Sequence, residues 1–312
     1  MAGATTSTLD PIIKPEVRQE ISDAVFRNSD FLPLFRQEGP FGGGTYDLKV
    51  IVAANSSAQV FNEDGVVPDA GYQQSVTAAA PWKHFRVFTR LTGHAKRELN
   101  ATWDSNSWPG AYGGMNIEEM KAQEDLVDLV NTTFLGTSAS GVQGIIDDST
   151  AFYDLSRSSY TALKSYEKAG SAAMSLALLD RLVFETYNAP FGGKIELILM
   201  PPAQARKYTN LVEGKLNIPS AADVSGGGVN SLPPYAGAAV LAIRDLTATV
   251  VLGLSNMSSG WFYAIHEAAP GGIDVLPYGV QSDAKVTQYV TSGALICPFP
   301  NRQGKLTTMG TT

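Results

Sequence analysis

Residues 51–82 read IVAANSSAQVFNEDGVVPDAGYQQSVTAAAPW, and no other stretch constrains the fold as strongly. It holds no Lys or Arg and few large apolar side chains. Strand-like sequence flanks it, TYDLKVIV before and HFRVFTRLT after. In the second flank Phe85, Val87, Thr89 and Leu91 alternate with His84, Arg86, Phe88 and Arg90, the period-two pattern of a half-buried strand. Asp64-Gly65 between the flanks carries the type I′ turn signal. The spacing therefore predicts strands over 46–53 and 84–92, paired as the base of one long projecting hairpin. Roughly 15 residues outward at about 3.3 Å each reach about 50 Å. Ordering such an excursion costs about 1–2 kcal/mol per residue. Its side chains bury too little to offset that, so the surface of a partner is expected to order it.

The composition is globular: 312 residues, 44% hydrophobic and 17% charged, with a net charge of −7. Sparse charge leaves much surface to Ser, Thr, Gly, Ala and Asn, which suits packing against other protein. Cys297 is the only cysteine, so neither an internal disulfide nor a cysteine-based zinc site can form. The first residues, MAGATTSTLDPIIKPEV, lack the basic-then-apolar pattern of a signal peptide. No apolar run approaches the ~20 residues of a membrane span. The acidic balance speaks against general nucleic-acid binding, which needs clustered cations; Lys96-Arg97 is a pair and not a patch.

Residues up to about 44 read as an arm. Pro15 suits a first helical turn, and Val17, Ile21, Ala24 and Val25 follow at helical spacing. Phe31, Leu32, Leu34 and Phe35 then need a surface, either their own domain or a neighbouring chain. Residues 116–135 form the clearest helix. Asn116 is placed as N-cap, with Glu119 in capping-box position. Leu126, Leu129, Val130, Thr133 and Phe134 make its apolar stripe, and Gly136 its stop. A mixed α/β pattern follows. DLSRSSYTALKSYEKAG predicts a short helix ended by Gly170, SAAMSLALLDRLVFETY a more apolar helix, FGGKIELILM a buried strand, and PPAQARKYTNLV a helix. IPSAADVSGGGVNSLPPYAG reads as a loop. Strands AAVLAI, ATVVLGL and GWFYAIHE come next, and the tail predicts a long strand, a turn and a short strand.

Catalytic motifs are absent. GTSASG at 136–141 misses the nucleophile-elbow spacing by one. Gly192-Gly193-Lys194 is followed by Ile195, so it is not a phosphate loop. Gly226-Gly227-Gly228 opens no helix, so it is not a dinucleotide fingerprint. His84, His94 and His266 make no metal-ligand spacing with one another or with Cys297. The pairs Glu118-Glu119 and Asp147-Asp148 point in different directions on any regular element, so capping and solvation explain them. No catalytic, cofactor-binding or metal-binding residue is assigned.

The order of elements is an arm, a long acidic hairpin, a long helix, a mixed α/β segment and late returning strands. It resembles the major capsid protein of tailed bacteriophages, the Hong Kong 97-like fold. Three phrases carry the likeness: GVQGIIDDSTAFYDLSRSSYTALKSY, FGGKIELILMPPAQARKYTNLV and GGIDVLPYGVQSDAKVTQYVTSGALICPFPNRQGKLTTM. In the first, Leu155-Ser156-Arg157-Ser158 departs slightly from the family's Asp-Arg-Ser/Thr-x-Tyr run. The resemblance implies an α+β fold with an N-terminal arm over 1–44 and an extended E-loop hairpin with its flanking strands over 45–95. It implies a P-domain over 96–145 and 284–312, whose spine helix spans about 116–135, and an α/β A-domain over 146–283.

The resemblance further implies a non-enzymatic chain that assembles with itself into pentamers and hexamers of an icosahedral head. That head would form in the host cytoplasm and enclose double-stranded DNA without binding it specifically. A portal protein, a separate scaffolding protein and a decoration protein are the other expected partners; no membrane is involved. Phe31, Leu34, Phe35, Phe61, Glu63, Asp64, Asp69 and Tyr72 are the expected intersubunit contacts. The acidic hairpin should meet a positive patch, with Lys164 and Lys168 as candidates. One family member joins its subunits through a lysine in this loop; none lies between Val50 and Trp82, so no such crosslink is expected. The competing readings are an encapsulin-like compartment shell, a hydrolase with an unrecognised serine site, and a tail or decoration protein.

Overall fold

The computed structural model describes residues 31–53, 74–92, 117–170, 173–188, 190–213, 231–258, 260–269, 273–281 and 284–310. In chain order its first strands are β1 (Arg36–Phe41), β2 (Thr45–Ala53), β3 (Gln74–Pro81) and β4 (Lys83–Thr92). Helices α1 (Ile117–Leu135) and α2 (Val142–Ile145) follow, then β5 (Tyr166–Ala169), α3 (Leu176–Tyr187), β6 (Ile195–Met200) and α4 (Pro202–Glu213). The remaining strands are β7 (Ser231–Tyr235), β8 (Ala238–Ala242), β9 (Val251–Ser255), β10 (Phe262–His266), β11 (Asp274–Gln281), β12 (Ala284–Ile296) and β13 (Gly304–Thr307). Single 3-10 turns stand at Leu32–Leu34, Thr161–Leu163 and Pro300–Arg302. The chain divides into two units, one of residues 1–44, 82–132 and 263–294, the other of 45–81, 133–262 and 295–312.

The first unit holds a five-stranded sheet in the order β1-β10-β12-β11, with β4 also paired to β12. Register sets its faces: Phe85, Val87 and Thr89 oppose Thr291, Tyr289 and Thr287, and Phe85, Tyr289, Thr291 and Thr287 are buried. Arg86, Phe88 and Arg90 take the alternate, exposed positions, as the period-two reading of that strand requires. Most of α1 belongs here. Its buried side is Ala122, Gln123, Leu126, Val127, Val130 and Asn131, continued by Phe134. The sequence stripe is thus rotated by one position. Leu129 is left 43% exposed because the i, i+4 ladder through Leu126, Val130 and Phe134 defines the inner face.

The second unit is built on a six-stranded sheet in the order β5-β13-β9-β6-β8-β7. Ile195, Ile198, Met200, Val240, Val251 and Leu306 from its strands pack with Leu179 and Leu182 of α3 and Tyr208 of α4 into one core. Ser175 caps α3 by accepting from the Leu178 N–H. The same unit contains the antiparallel ribbon β2-β3, in which Thr45 faces Pro81 and Val50 faces Val76.

Three expectations change. The partner of residues 46–53 is β3 and not the stretch 84–92, which joins β12 instead. Ala78 and Ala80 hid this strand: alanine has weak strand preference, yet both are buried here. The helix expected before Gly170 is a 3-10 turn and the strand β5, held parallel to β13 from Tyr166–Gly304 to Ala169–Thr307. Non-local pairing overrides a weak local helical signal there. The end of the expected loop at 218–237 is β7, whose Pro233 and Pro234 are tolerated because it lies at the sheet edge.

Candidate assembly surface

A groove of about 350 Å³ opens beside the base of the ribbon in the second unit. Lys49, Val50 and Ile51 of β2 form one wall, Ala162 and Leu163 the second, and the run from Pro298 to Arg302 the third. Val50, Leu163 and Pro300 are buried and form its floor. Ile51 is 58% exposed and Phe299 38%, so two large apolar side chains stand at its rim. The Arg302 guanidinium lies 4.8 Å from the centre of the Phe299 ring. Among the described residues no carboxylate comes within 4.0 Å of Lys49, Lys164 or Arg302.

Buried polar side chains fix these walls. The Ser165 hydroxyl donates to the Pro300 carbonyl at 2.6 Å, and the Ser255 hydroxyl to that of Arg302 at 2.8 Å. Gln303 accepts from the Ser255 N–H at 2.8 Å and donates to the Phe299 carbonyl at 3.0 Å. Tyr153 donates to the Leu295 carbonyl at 2.8 Å and accepts from the Cys297 N–H at 3.1 Å. Tyr153 itself has φ of 54°, a left-handed conformation that a side chain of this size rarely takes. Arg157 is fully buried, donating to Ser165 Oγ at 3.4 Å and to the carbonyls of Gly144 and Ile145. Burial lowers its pKa to about 10.

Behind this wall Lys305 is buried among acids. Its ammonium donates to Asp147 Oδ2 at 2.6 Å and to the Gln143 carbonyl at 3.2 Å, and lies 3.3 Å from Glu167 Oε2. Burial raises the Asp147 pKa. The hydrogen bond from Lys305 and those from the N–H groups of Thr150 and Ser149 outweigh it, holding Asp147 well below the ordinary carboxylate range. Asp147, Asp148 and Glu167 each bring a carboxylate oxygen within 4.8 Å of the others, and the Lys305 ammonium supplies the countercharge to Asp147 and Glu167. The cluster is a structural tie between β5, β13 and the residues after α2.

Of the sequence-assigned contact residues, Phe31 and Phe35 are 1% and 4% exposed and stack edge to face at 4.8 Å. Their apolar surface is covered within this chain. Leu34 between them is half-buried. Phe61, Glu63, Asp64, Asp69 and Tyr72 lie outside the described residues, as do His94, Asn116 and the Asp64-Gly65 turn. Lys164 follows Leu163 at the groove, and Lys168 lies on β5. In the first unit, His84 and His266 come together, with ring centres 5.5 Å apart and Trp82 4.8 Å from His266. His266 Nδ1 lies 3.0 Å from the Ala268 N–H, which donates to it, and Nε2 lies 3.1 Å from the Gly43 carbonyl oxygen. His84 Nδ1 is 2.8 Å from Ser292 Oγ. The two rings meet edge to face and do not converge their nitrogens on a common point.

The fold has known relatives in structure. The chain is similar to the capsid protein of cyanophage A-1(L), with a TM-score of 0.57 and 12% identity over 86% of this chain and 90% of the other. It matches the shell protein of an encapsulin complex from Synechococcus elongatus equally well, with a TM-score of 0.57 and 9% identity over 90% and 87%. A phage G structure of major capsid and decoration proteins follows, with a TM-score of 0.51 and 9% identity over 90% of each chain. No family model matches the sequence, and no curated protein does. The mixed α+β fold is that of capsid-type shell proteins, the Hong Kong 97-like class.

Proposed function

We propose that this chain is the major capsid protein of a tailed bacteriophage and assembles with copies of itself into the icosahedral head. The observation that carries this reading is the likeness to a phage capsid protein over nearly the whole of both chains. The cation-free acidic segment between β2 and β3 supports it, because such a segment needs a surface that its own composition does not supply. A shell of fivefold and sixfold rings is closed by matched heterologous contacts between identical chains. Each contact of about 1,200–2,000 Å² is modest, and every subunit makes several.

In this reading residues 1–44 are the N-terminal arm and 45–95 the E-loop region. Residues 96–145 with 284–312 form the P-domain, and 146–283 the A-domain. Leu34, Phe61, Glu63, Asp64, Asp69 and Tyr72 meet neighbouring subunits. The chain works without catalysis, in the virion, after assembly in the host cytoplasm. A scaffolding protein, a portal protein and a decoration protein are its partners. The net negative charge keeps the inner wall from trapping the DNA that enters.

An encapsulin-type compartment is the second reading, favoured by the equal likeness to the Synechococcus shell protein. Negative-stain microscopy of the expressed chain, with and without a scaffolding protein, tests both. Closed shells that need the scaffold support the phage head, and closed shells around an enzyme cargo support the compartment. A small, single-chain species under both conditions overturns shell formation altogether.

A further inference from the structure

Three large apolar side chains of the first unit are exposed among the described residues, and they fall on two of its surfaces. Phe88 on β4 is 46% exposed, Leu276 on β11 41% and Leu129 on α1 43%. Strand register puts the first two in one row: Phe88 and Leu276 both oppose Gln288 of β12, one from each side. Directly opposed residues share a face, and neighbouring strands lie about 4.8 Å apart. Phe88 and Leu276 therefore flank the half-buried Gln288 across about 10 Å, a shallow slot one leucine wide. Half-buried Val286 and Val290 continue its apolar floor one row to either side. Exposed Arg86 and Arg90 border it on β4, each about 7 Å along the strand from Phe88. The Arg86 guanidinium lies 5.7 Å from the centre of the Phe88 ring. No carboxylate of the described residues comes within 4.0 Å of either arginine; Asp274 shares the Arg86 row but stands two strands away.

We infer that the exposed side of α1 of one copy docks on this β4-β12-β11 face of a second copy, with Leu129 in the slot between Phe88 and Leu276. The inference rests on the shell reading above and adds to it a contact between two described surfaces. Charge selects the occupant. On the exposed side of α1, Glu124, Asp125 and Asp128 surround Leu129. The exposed side of α3 mixes Asp180 and Glu185 with Arg181, and that of α4 carries Arg206. Among the described helices, α1 is thus the one that offers an exposed apolar side chain ringed by acids to a face bordered by arginines. Spacing agrees. Asp125 stands one turn before Leu129 on the same side of the helix, about 6 Å away. A Leu129 seated in the slot therefore brings Asp125 to one arginine, and Asp128 beside it serves the other. A helix about 10–12 Å across also matches the width of the three strands. The contact covers all three exposed apolar side chains at once, while the ion pairs set which neighbour is chosen and how the helix lies.

Photocrosslinking between copies tests it. Phe88→p-benzoylphenylalanine and Leu276→p-benzoylphenylalanine chains are each mixed with isotopically heavy chains, assembled and irradiated, and the joined peptides are read by mass spectrometry. The expected product joins a light chain at position 88 or 276 to residues 124–132 of a heavy chain. Arg86→Glu with Arg90→Glu in the light chain should lower its yield about tenfold, the effect of turning two surface ion pairs into two repulsions. Asp125→Arg with Asp128→Arg in the heavy chain should restore it, which a misfolded sheet would not allow. Phe184→p-benzoylphenylalanine, on the exposed side of α3, should not form the product. Closed shells without the product, a product confined to one chain, an equal yield from position 184, or no restoration by the reversed charges overturns the inference while leaving the shell reading intact. Absence of any particle overturns the shell reading itself, and the inference with it.

Discussion

Replacing Lys305 with methionine should destabilise the second unit by about 3 kcal/mol. The lysine is buried, 2.6 Å from Asp147 and 3.3 Å from Glu167, and its removal leaves two poorly exposed carboxylates facing each other. Breaking a buried pair from one side costs about 3–5 kcal/mol. The low end applies because Asp147 keeps hydrogen bonds from the Ser149 and Thr150 backbones. With a urea m-value of at most about 3 kcal/mol per molar, the midpoint should fall by at least about 1 M with m unchanged. The pH dependence gives a second check. The Asp147 pKa is lowered on folding, so its contribution is complete above the ordinary value of about 4 and fades as pH falls through the lowered one. In Lys305→Met the lowering due to the lysine is lost, and that due to the Ser149 and Thr150 N–H groups remains. The gap between the two proteins should therefore narrow by up to about 1.4 kcal/mol for each pH unit below about 4. A midpoint shift under about 0.3 M at pH 7, or a gap unchanged between pH 5 and pH 3, refutes the reasoning.

Three further outcomes are expected. Gly193→Ala should cost about 2 kcal/mol or more in thermal or urea unfolding, because a Cβ there would stand 2.0 Å from the Arg302 carbonyl oxygen and push the groove wall. Tyr153→Phe should lose about 1–3 kcal/mol in the same assay, since the hydroxyl serves both the Leu295 carbonyl and the Cys297 N–H in a buried place. Cys297 is buried and burial pushes its pKa well up, so a thiol reagent at pH 8 should label it only after denaturation, at one equivalent per chain.

Residues with local signals were legible in the sequence. The strand at 84–92, the long helix, the strand within FGGKIELILM and the helix within SAAMSLALLDRLVFETY all stand in the stretches that the residue pattern assigned to them. Features set by distant partners were not. The run QSVTAAAP reads as filler until it is seen paired with β2, with Ala78 and Ala80 buried. YEKA becomes a strand only because Gly304–Thr307 lies beside it. The groove joins residues 49–51, 162–163 and 298–302, and its supporting ion pair joins Asp147 to Lys305. No local pattern announces contacts over such separations. Phe31 and Phe35 show the reverse limit: two phenylalanines in an arm ask for a surface, and sequence alone cannot say that the surface belongs to the same chain.

The most direct test of the whole account is a cryo-EM reconstruction of the particle that the expressed chain forms. The account predicts a closed shell of fivefold and sixfold rings in which residues 54–73 of every subunit lie against the subunit beside it. Density for those residues folded back onto their own chain, or a protein that yields no closed particle at all, would contradict it.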